Sequence, residues 1–213
     1  MDVWYHGTDE YFCEWSGPPA KSKYKPELFP HQFISLSKDL TLAKGAGRIT
    51  NGLCSATLSD SAKRLDLREK SSAAENIWHQ IRQTELGCAY ANLHTFDLFV
   101  AACNSGNVLR YQTVDEALWK KLNPLYEAET NLSLSFKQQQ GAFLFLQNFT
   151  RQWIDAVISP ARQMGYQAVV CAEIDRRHNG PVSCVNLYVF DPKVLSAPDW
   201  ITKPDENLMV RKK

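Results

Sequence analysis

Between about Ser71 and Met164 the apolar residues recur at three- and four-residue spacing, whereas on either side they come in short runs broken by turn formers. Ala142, Phe145, Leu146, Phe149, Trp153, Val157 and Ile158 fall on one stripe of a long helix that should end near Ser159-Pro160. The flanks read as strands: Val3-Trp4-Tyr5, Gln32 to Leu36, Ser55 to Leu58, Arg64 to Leu67, Ala168 to Cys171 and Val185 to Phe190. The last two are joined through the turn-rich Arg176 to Pro181, which predicts a hairpin. After Ser37, a candidate N-cap, Leu40, Leu42 and Ala43 predict a short helix stopped at Gly45-Ala46-Gly47. Strands, then helices, then strands imply an α+β chain rather than alternating βαβ units. Residues 1–213 read as one domain, with a helical insertion at about 71–164 and a surface tail at about 196–213.

Lys+Arg of 24 against Asp+Glu of 23 leave a formal charge of +1, so no broad phosphate-tracking surface is indicated. No stretch approaches the roughly 20 apolar residues of a membrane span, and the opening residues lack a basic segment followed by an apolar one. A soluble, cytoplasmic protein is expected. Six cysteines, at positions 13, 54, 88, 103, 171 and 184, show no C-x-x-C pair and read as reduced thiols rather than zinc ligands or a disulfide framework. Gly45-Ala46-Gly47 lacks the Gly-Lys-Ser/Thr ending of a phosphate loop.

The residues able to carry chemistry are dispersed. His6-Gly7-Thr8 follows Val3-Trp4-Tyr5, where an imidazole at the end of an edge strand offers a partner for a sugar hydroxyl and glycine leaves the backbone open to a flat amide. The plainer reading is a turn histidine. Ser35 and Ser37 sit beside a strand end, where hydroxyls bind ligands or simply cap turns. Glu173 falls where the strand Ala168 to Cys171 should give way to a polar turn, a position that faces clefts. Ionised at neutral pH, it would stabilise positive charge on a sugar carbon, and Asp175, two residues on, is the rival acid. Cys171 or Cys184 with His178 would make a thiol hydrolase, but Cys171 lies within an apolar strand and no third orienting residue suggests itself, so the plainer reading is an inert buried thiol.

Taken in order, Tyr5-His6-Gly7-Thr8, Phe33-Ile34-Ser35-Leu36-Ser37, Gly165 to Glu173 and Val189-Phe190-Asp191-Pro192 resemble the ADP-ribosyltransferase family. The likeness is to its small bacterial and phage mono-ADP-ribosyltransferases, effector and anti-CRISPR members included, and covers about residues 3–68 and 165–195. It implies a split antiparallel β-sheet core with a helical insertion, NAD+ as co-substrate and no metal. It also implies that His6 bonds the adenosine-side ribose and that the Gly7 backbone, beside Thr8 and Tyr5, holds the nicotinamide carboxamide. Ser35, Ser37 and Phe33 would line the nicotinamide-ribose pocket, and Glu173 would be the catalytic acid. The acceptor implied is a target protein, the neutral charge favouring a protein side chain over nucleic acid, and an effector would act in a host-cell cytoplasm. Water as acceptor would make the chain an NAD+ glycohydrolase, and lost catalysis a binding module. In one respect the chain departs from the family: a tyrosine common after the second strand is replaced by Ala43-Lys44-Gly45-Ala46-Gly47. The nicotinamide-stacking ring would then come from Tyr5, Phe33, Phe12, Trp15 or Tyr24.

Overall fold

The computed structural model describes residues 2–18, 27–46, 52–110, 116–122, 135–177 and 180–204. In chain order the elements are β1 (Val3–Thr8), β2 (Ile34–Ser37), α1 (Leu40–Ala46), β3 (Gly52–Thr57) and β4 (Arg64–Asp66). The helical region follows with α2 (Ser72–Arg82), α3 (Glu85–Ala89), α4 (Phe96–Ser105), α5 (Glu116–Leu122), α6 (Phe136–Ile158) and α7 (Pro160–Gln163). The chain then returns to strands in β5 (Ala168–Arg177), β6 (Gly180–Val189) and β7 (Asp199–Thr202). The architecture is therefore α+β, as the periodicities imply.

All seven strands form one open sheet in the order β4-β5-β6-β2-β1-β3-β7. Neighbours are antiparallel except β4 and β5, which pair in parallel from Arg64 opposite Ala168 to Asp66 opposite Val170, so the sheet is mixed. A parallel pair needs a long crossover, and the helical region supplies it. Its helices pack on one sheet face: Ile77 and Ile81 of α2, Phe99 and Cys103 of α4, and Trp153, Val157 and Ile158 of α6 join Phe33, Val169, Cys171 and Tyr188 in one buried cluster. On the other face Trp4, Ile34, Leu36, Ala168, Val170, Leu187 and Val189 form a second cluster, closed by Val194 and the partly buried Trp15 and Leu195. The two-residue period of a strand separates these sets.

The helix stripe ending at Ile158 and the β5–β6 hairpin lie where the sequence places them. Four local expectations are corrected. β1 is an interior strand between β2 and β3, because β3 returns antiparallel along all six of its residues. β5 does not stop at Cys171 but runs to Arg177, its polar half carried by pairing with β6 as far as Arg177 opposite Gly180. Asp39, not Ser37, caps α1, its Oδ1 accepting from the N–H groups of Thr41 and Leu42 at 2.9 Å. Within the expected surface tail Asp199–Thr202 forms β7, which pairs with β3 and is held by Trp200 Nε1 donating to the Phe12 carbonyl at 3.0 Å. Tyr24, His178 and residues 205–213 lie outside the described residues. Among the described residues no helix is long and apolar enough to cross a membrane.

Candidate functional site

The sheet register decides which candidate side chains can meet. Cys171, Asn186, Ser37 and Tyr5 stand opposite one another across β5, β6, β2 and β1. Directly paired residues point to the same face. Glu173 and Tyr188, each two residues along its strand, share that face, as do Ser35 and Phe33. One side of the sheet thus carries Tyr5, Phe33, Ser35, Ser37 and Glu173. His6 and Thr8 have the opposite parity, on the side of Trp4.

Glu173 is the focus of the polar groups. Asn186 Nδ2 donates to Oε2 at 2.9 Å, the Tyr188 hydroxyl approaches the same oxygen at 3.5 Å, and Arg110 Nη2 lies 3.4 Å from Oε1. The Arg110 and Glu173 side chains are 25% and 22% exposed, so the pair is only partly buried. Burial pushes the Glu173 carboxyl above the usual range, while Arg110 and the hydrogen bonds from Asn186 and Tyr188 pull it back and Asp175 pushes it up. Tyr188 is raised well above an ordinary phenol, chiefly by burial and then by the Glu173 charge, so it stays a neutral donor. Two polar atoms here, Asn186 Oδ1 and Arg110 Nε, are buried with no hydrogen-bond partner among the described residues. A buried orphan is costly, and a functional cleft is one place where such a cost is retained.

A second feature lies beside this row. β1 and β2 meet at the single registered pair Tyr5 opposite Ser37, although β1 runs on to Thr8 and β2 back to Ile34. The sheet opens there. His6 spans the opening, its Nδ1 lying 2.8 Å from the Ser35 carbonyl oxygen. A carbonyl only accepts, so Nδ1 carries the proton, and burial holds the imidazole below its usual value and hence neutral. In that tautomer Nε2 is an acceptor, suited to a hydroxyl donor. The ring is packed edge-on by Trp15 and Phe12, with centroids at 5.4 and 6.1 Å.

Several expected ligand contacts have structural partners instead. Phe33 is 3% exposed, stacked on His31 at 4.7 Å and edge-on to Tyr188 at 5.0 Å, so its ring offers no open face. Ser37 is buried; its hydroxyl accepts from the Asp39 N–H at 3.0 Å and donates to the Val185 carbonyl at 3.5 Å. Thr8 Oγ1 closes a turn with Glu10, accepting from its N–H at 3.1 Å and donating to its carbonyl at 3.3 Å. Tyr5, Ser35 and His6 are partly exposed, and Gly7 is buried. Cys171 is fully buried in the sheet, as the plainer reading expects of its side chain.

No family model, curated protein or solved structure matches this chain. Among the described residues no three His, Cys, Asp or Glu side chains gather as metal ligands. Two surface hollows, of about 320 and 350 Å³, lie near Asp2 and Asp60 and near Asp66 and Tyr166, away from Glu173. Arg110, Asn186 and Tyr188 were not singled out by sequence. Asn186 carries a signal in hindsight, as a polar residue inside the apolar run from Val185 to Phe190, whereas nothing near Arg110 in sequence points across 63 residues to Glu173.

Proposed function

We propose that this chain is an NAD+-dependent mono-ADP-ribosyltransferase that cleaves the nicotinamide–ribose bond and passes ADP-ribose to a protein side chain. The observation that carries the reading is the convergence of Arg110, Asn186 and Tyr188 on a partly exposed Glu173, on the sheet face that also presents Ser35 and Tyr5. A carboxylate so held is a fixed negative charge, and what it stabilises is positive charge developing on a substrate carbon. NAD+ supplies such a carbon: as nicotinamide leaves with the bonding electron pair, the anomeric carbon becomes an oxocarbenium ion that the acceptor then attacks, losing its proton. The neutral His6 with Nε2 as acceptor suits a ribose hydroxyl, and the parted edges of β1 and β2 at Gly7 and Ser35 suit a flat carboxamide. Glu173 rather than Asp175 is the acid in this reading because the three donors are aimed at it.

The test is incubation with labelled NAD+ and a cell lysate, wild type against Glu173→Gln. Loss of one electrostatic stabiliser costs about 3–4 kcal/mol of barrier, or roughly 10²–10³ in rate, so label on a discrete protein band should vanish in the variant. Free ADP-ribose without labelled protein would instead indicate hydrolysis. Full activity in Glu173→Gln with loss in Asp175→Asn would reassign the acid, and a wild type that neither binds nor consumes NAD+ would sink the reading.

A further inference from the structure

The helical region does more than cross over between β4 and β5. α4 ends at Gly106, whose φ of 83° is the left-handed region. A Cβ there would stand 2.6 Å from the Glu173 carbonyl carbon and 2.7 Å from Ile174 N, so the turn presses on the backbone of the acid itself. The next residues form a short 3-10 turn, Asn107–Leu109, fixed by the insertion's own side chains. The Tyr90 hydroxyl donates to the Asn107 carbonyl, and Trp153 Nε1 donates to the Val108 carbonyl at 2.9 Å. Arg110 leaves this turn with Nη2 anchored on the Ile174 carbonyl at 2.6 Å and facing Glu173 Oε1 at 3.4 Å.

We propose that Arg110 is a positioning residue for Glu173: borne by a turn that the insertion holds rigid, its guanidinium keeps the carboxylate oriented and negatively charged on the sheet face. Among the described residues the groups that face Glu173 are otherwise acidic or neutral. They are Asp175 and Cys171 of its own strand and Tyr188 and Cys184 of β6, with Cys103 of α4 in contact with Cys171. Arg110 supplies the positive charge in this set. A merely structural Arg110, a strap onto the Ile174 carbonyl, would hold the turn without altering how Glu173 titrates.

Titration separates the two. In the wild type the ¹³C carboxyl resonance identified as Glu173 by its loss in Glu173→Gln and the guanidinium ¹⁵N resonances of Arg110 should shift with one common midpoint. In Arg110→Gln the Glu173 midpoint should move up, and Arg110→Lys, which keeps the charge, should bring it most of the way back. An opposite charge at this range accounts for at least about tenfold in the ionised fraction, so NAD+ consumption on the acid side of the pH profile should fall about tenfold in Arg110→Gln. Activity should recover as the pH is raised. Separate midpoints for Arg110 and Glu173 in the wild type overturn the proposal, as does a folded Arg110→Gln with the Glu173 midpoint unmoved. If Arg110→Gln fails to fold, the wild-type comparison decides. Only the activity arm rests on the NAD+ reading, so a wild type that consumes no NAD+ defeats that reading while the resonances still judge Arg110.

Discussion

Replacing Gly106 by alanine should be among the most disruptive single-methyl additions to this fold, and its cost divides into two parts that a second glycine separates. The first is conformational: at φ 83° and ψ −1° an L-residue loses about 1–2 kcal/mol relative to glycine. The second is steric, because the new Cβ would meet the Glu173 carbonyl carbon at 2.6 Å and Ile174 N at 2.7 Å, both backbone atoms of a paired strand that cannot swing aside. Overpacking of this kind costs about 1–3 kcal/mol, for a total of about 2–5 kcal/mol. Gly165 has nearly the same backbone, φ 78°, but its Cβ would meet only the end of the flexible Lys63 side chain, at 3.7 Å. Gly165→Ala therefore carries the conformational part alone, about 1–2 kcal/mol. Stiffening of the unfolded chain by alanine, worth about 0.4–1 kcal/mol, is common to both variants and cancels in their difference. Urea unfolding at a shared m-value should place the Gly106→Ala midpoint below that of Gly165→Ala by the equivalent of at least about 1 kcal/mol. Equal midpoints would mean that the α4 turn yields, and would remove the support it lends to Glu173 and Arg110.

Two pH and charge predictions follow from buried groups. Burial holds the imidazoles of His6 and His31 below the usual value, against the hydrogen bonds they donate to the Ser35 carbonyl and the Asp155 carboxylate, which favour the cation. The unfolded chain then takes up protons first, so stability should be lost as pH falls from about 6.5 toward the folded values. Urea midpoints measured across that window should slope downward, and less steeply in a His6→Gln, His31→Gln double variant; an unchanged slope refutes the assignment. Glu173 has the opposite sign. Its folded value lies above the unfolded one, mainly through burial, so its stabilising contribution is lost as pH rises through the window above about 4.5. At neutral pH Glu173→Gln should accordingly melt higher than the wild type while losing activity, and a lower melting temperature would show that pairing with Arg110 outweighs the cost of burial.

The sequence makes some of this legible for identifiable reasons. The stripe from Ala142 to Ile158 is long enough for its period to be unmistakable, and α6 is found there. Glu173 stands out as a carboxylate following a fully apolar run. What escapes is non-local. Arg176 and Arg177 read as turn residues, yet they lie in β5 because β6 pairs with them, a tertiary effect that overrides local composition. Asp199–Thr202 sits between Pro198 and Pro204 and has no pattern of its own; β3 makes it a strand. That β1 lies inside the sheet follows from strand order, which no local pattern encodes. Arg110 reaches Glu173 only because Gly106, Tyr90 and Trp153 fix a turn whose parts are scattered over more than sixty positions.

The register of the candidate site is enforced by packing on both sides of the sheet. Glu173, Asn186, Tyr188, Ser35 and Ser37 share the helix-covered face with Val169 and Cys171, while Ile34, Leu36, Val170, Leu187 and Val189 share the other. A one-residue slip of β5 or β2 against β6 would exchange the two sets, carrying Glu173 or Ser35 into the apolar cluster around Trp4 and Leu187. Such a slip forfeits the fitted packing of both faces and buries a carboxylate or hydroxyl without its partners. The hydrogen bonds around Glu173 are worth about 0.5–3 kcal/mol each. Placement of the acid is thus fixed by both packed faces of the strand that carries it. The polar groups, with Arg110 foremost, are left to set its charge and orientation.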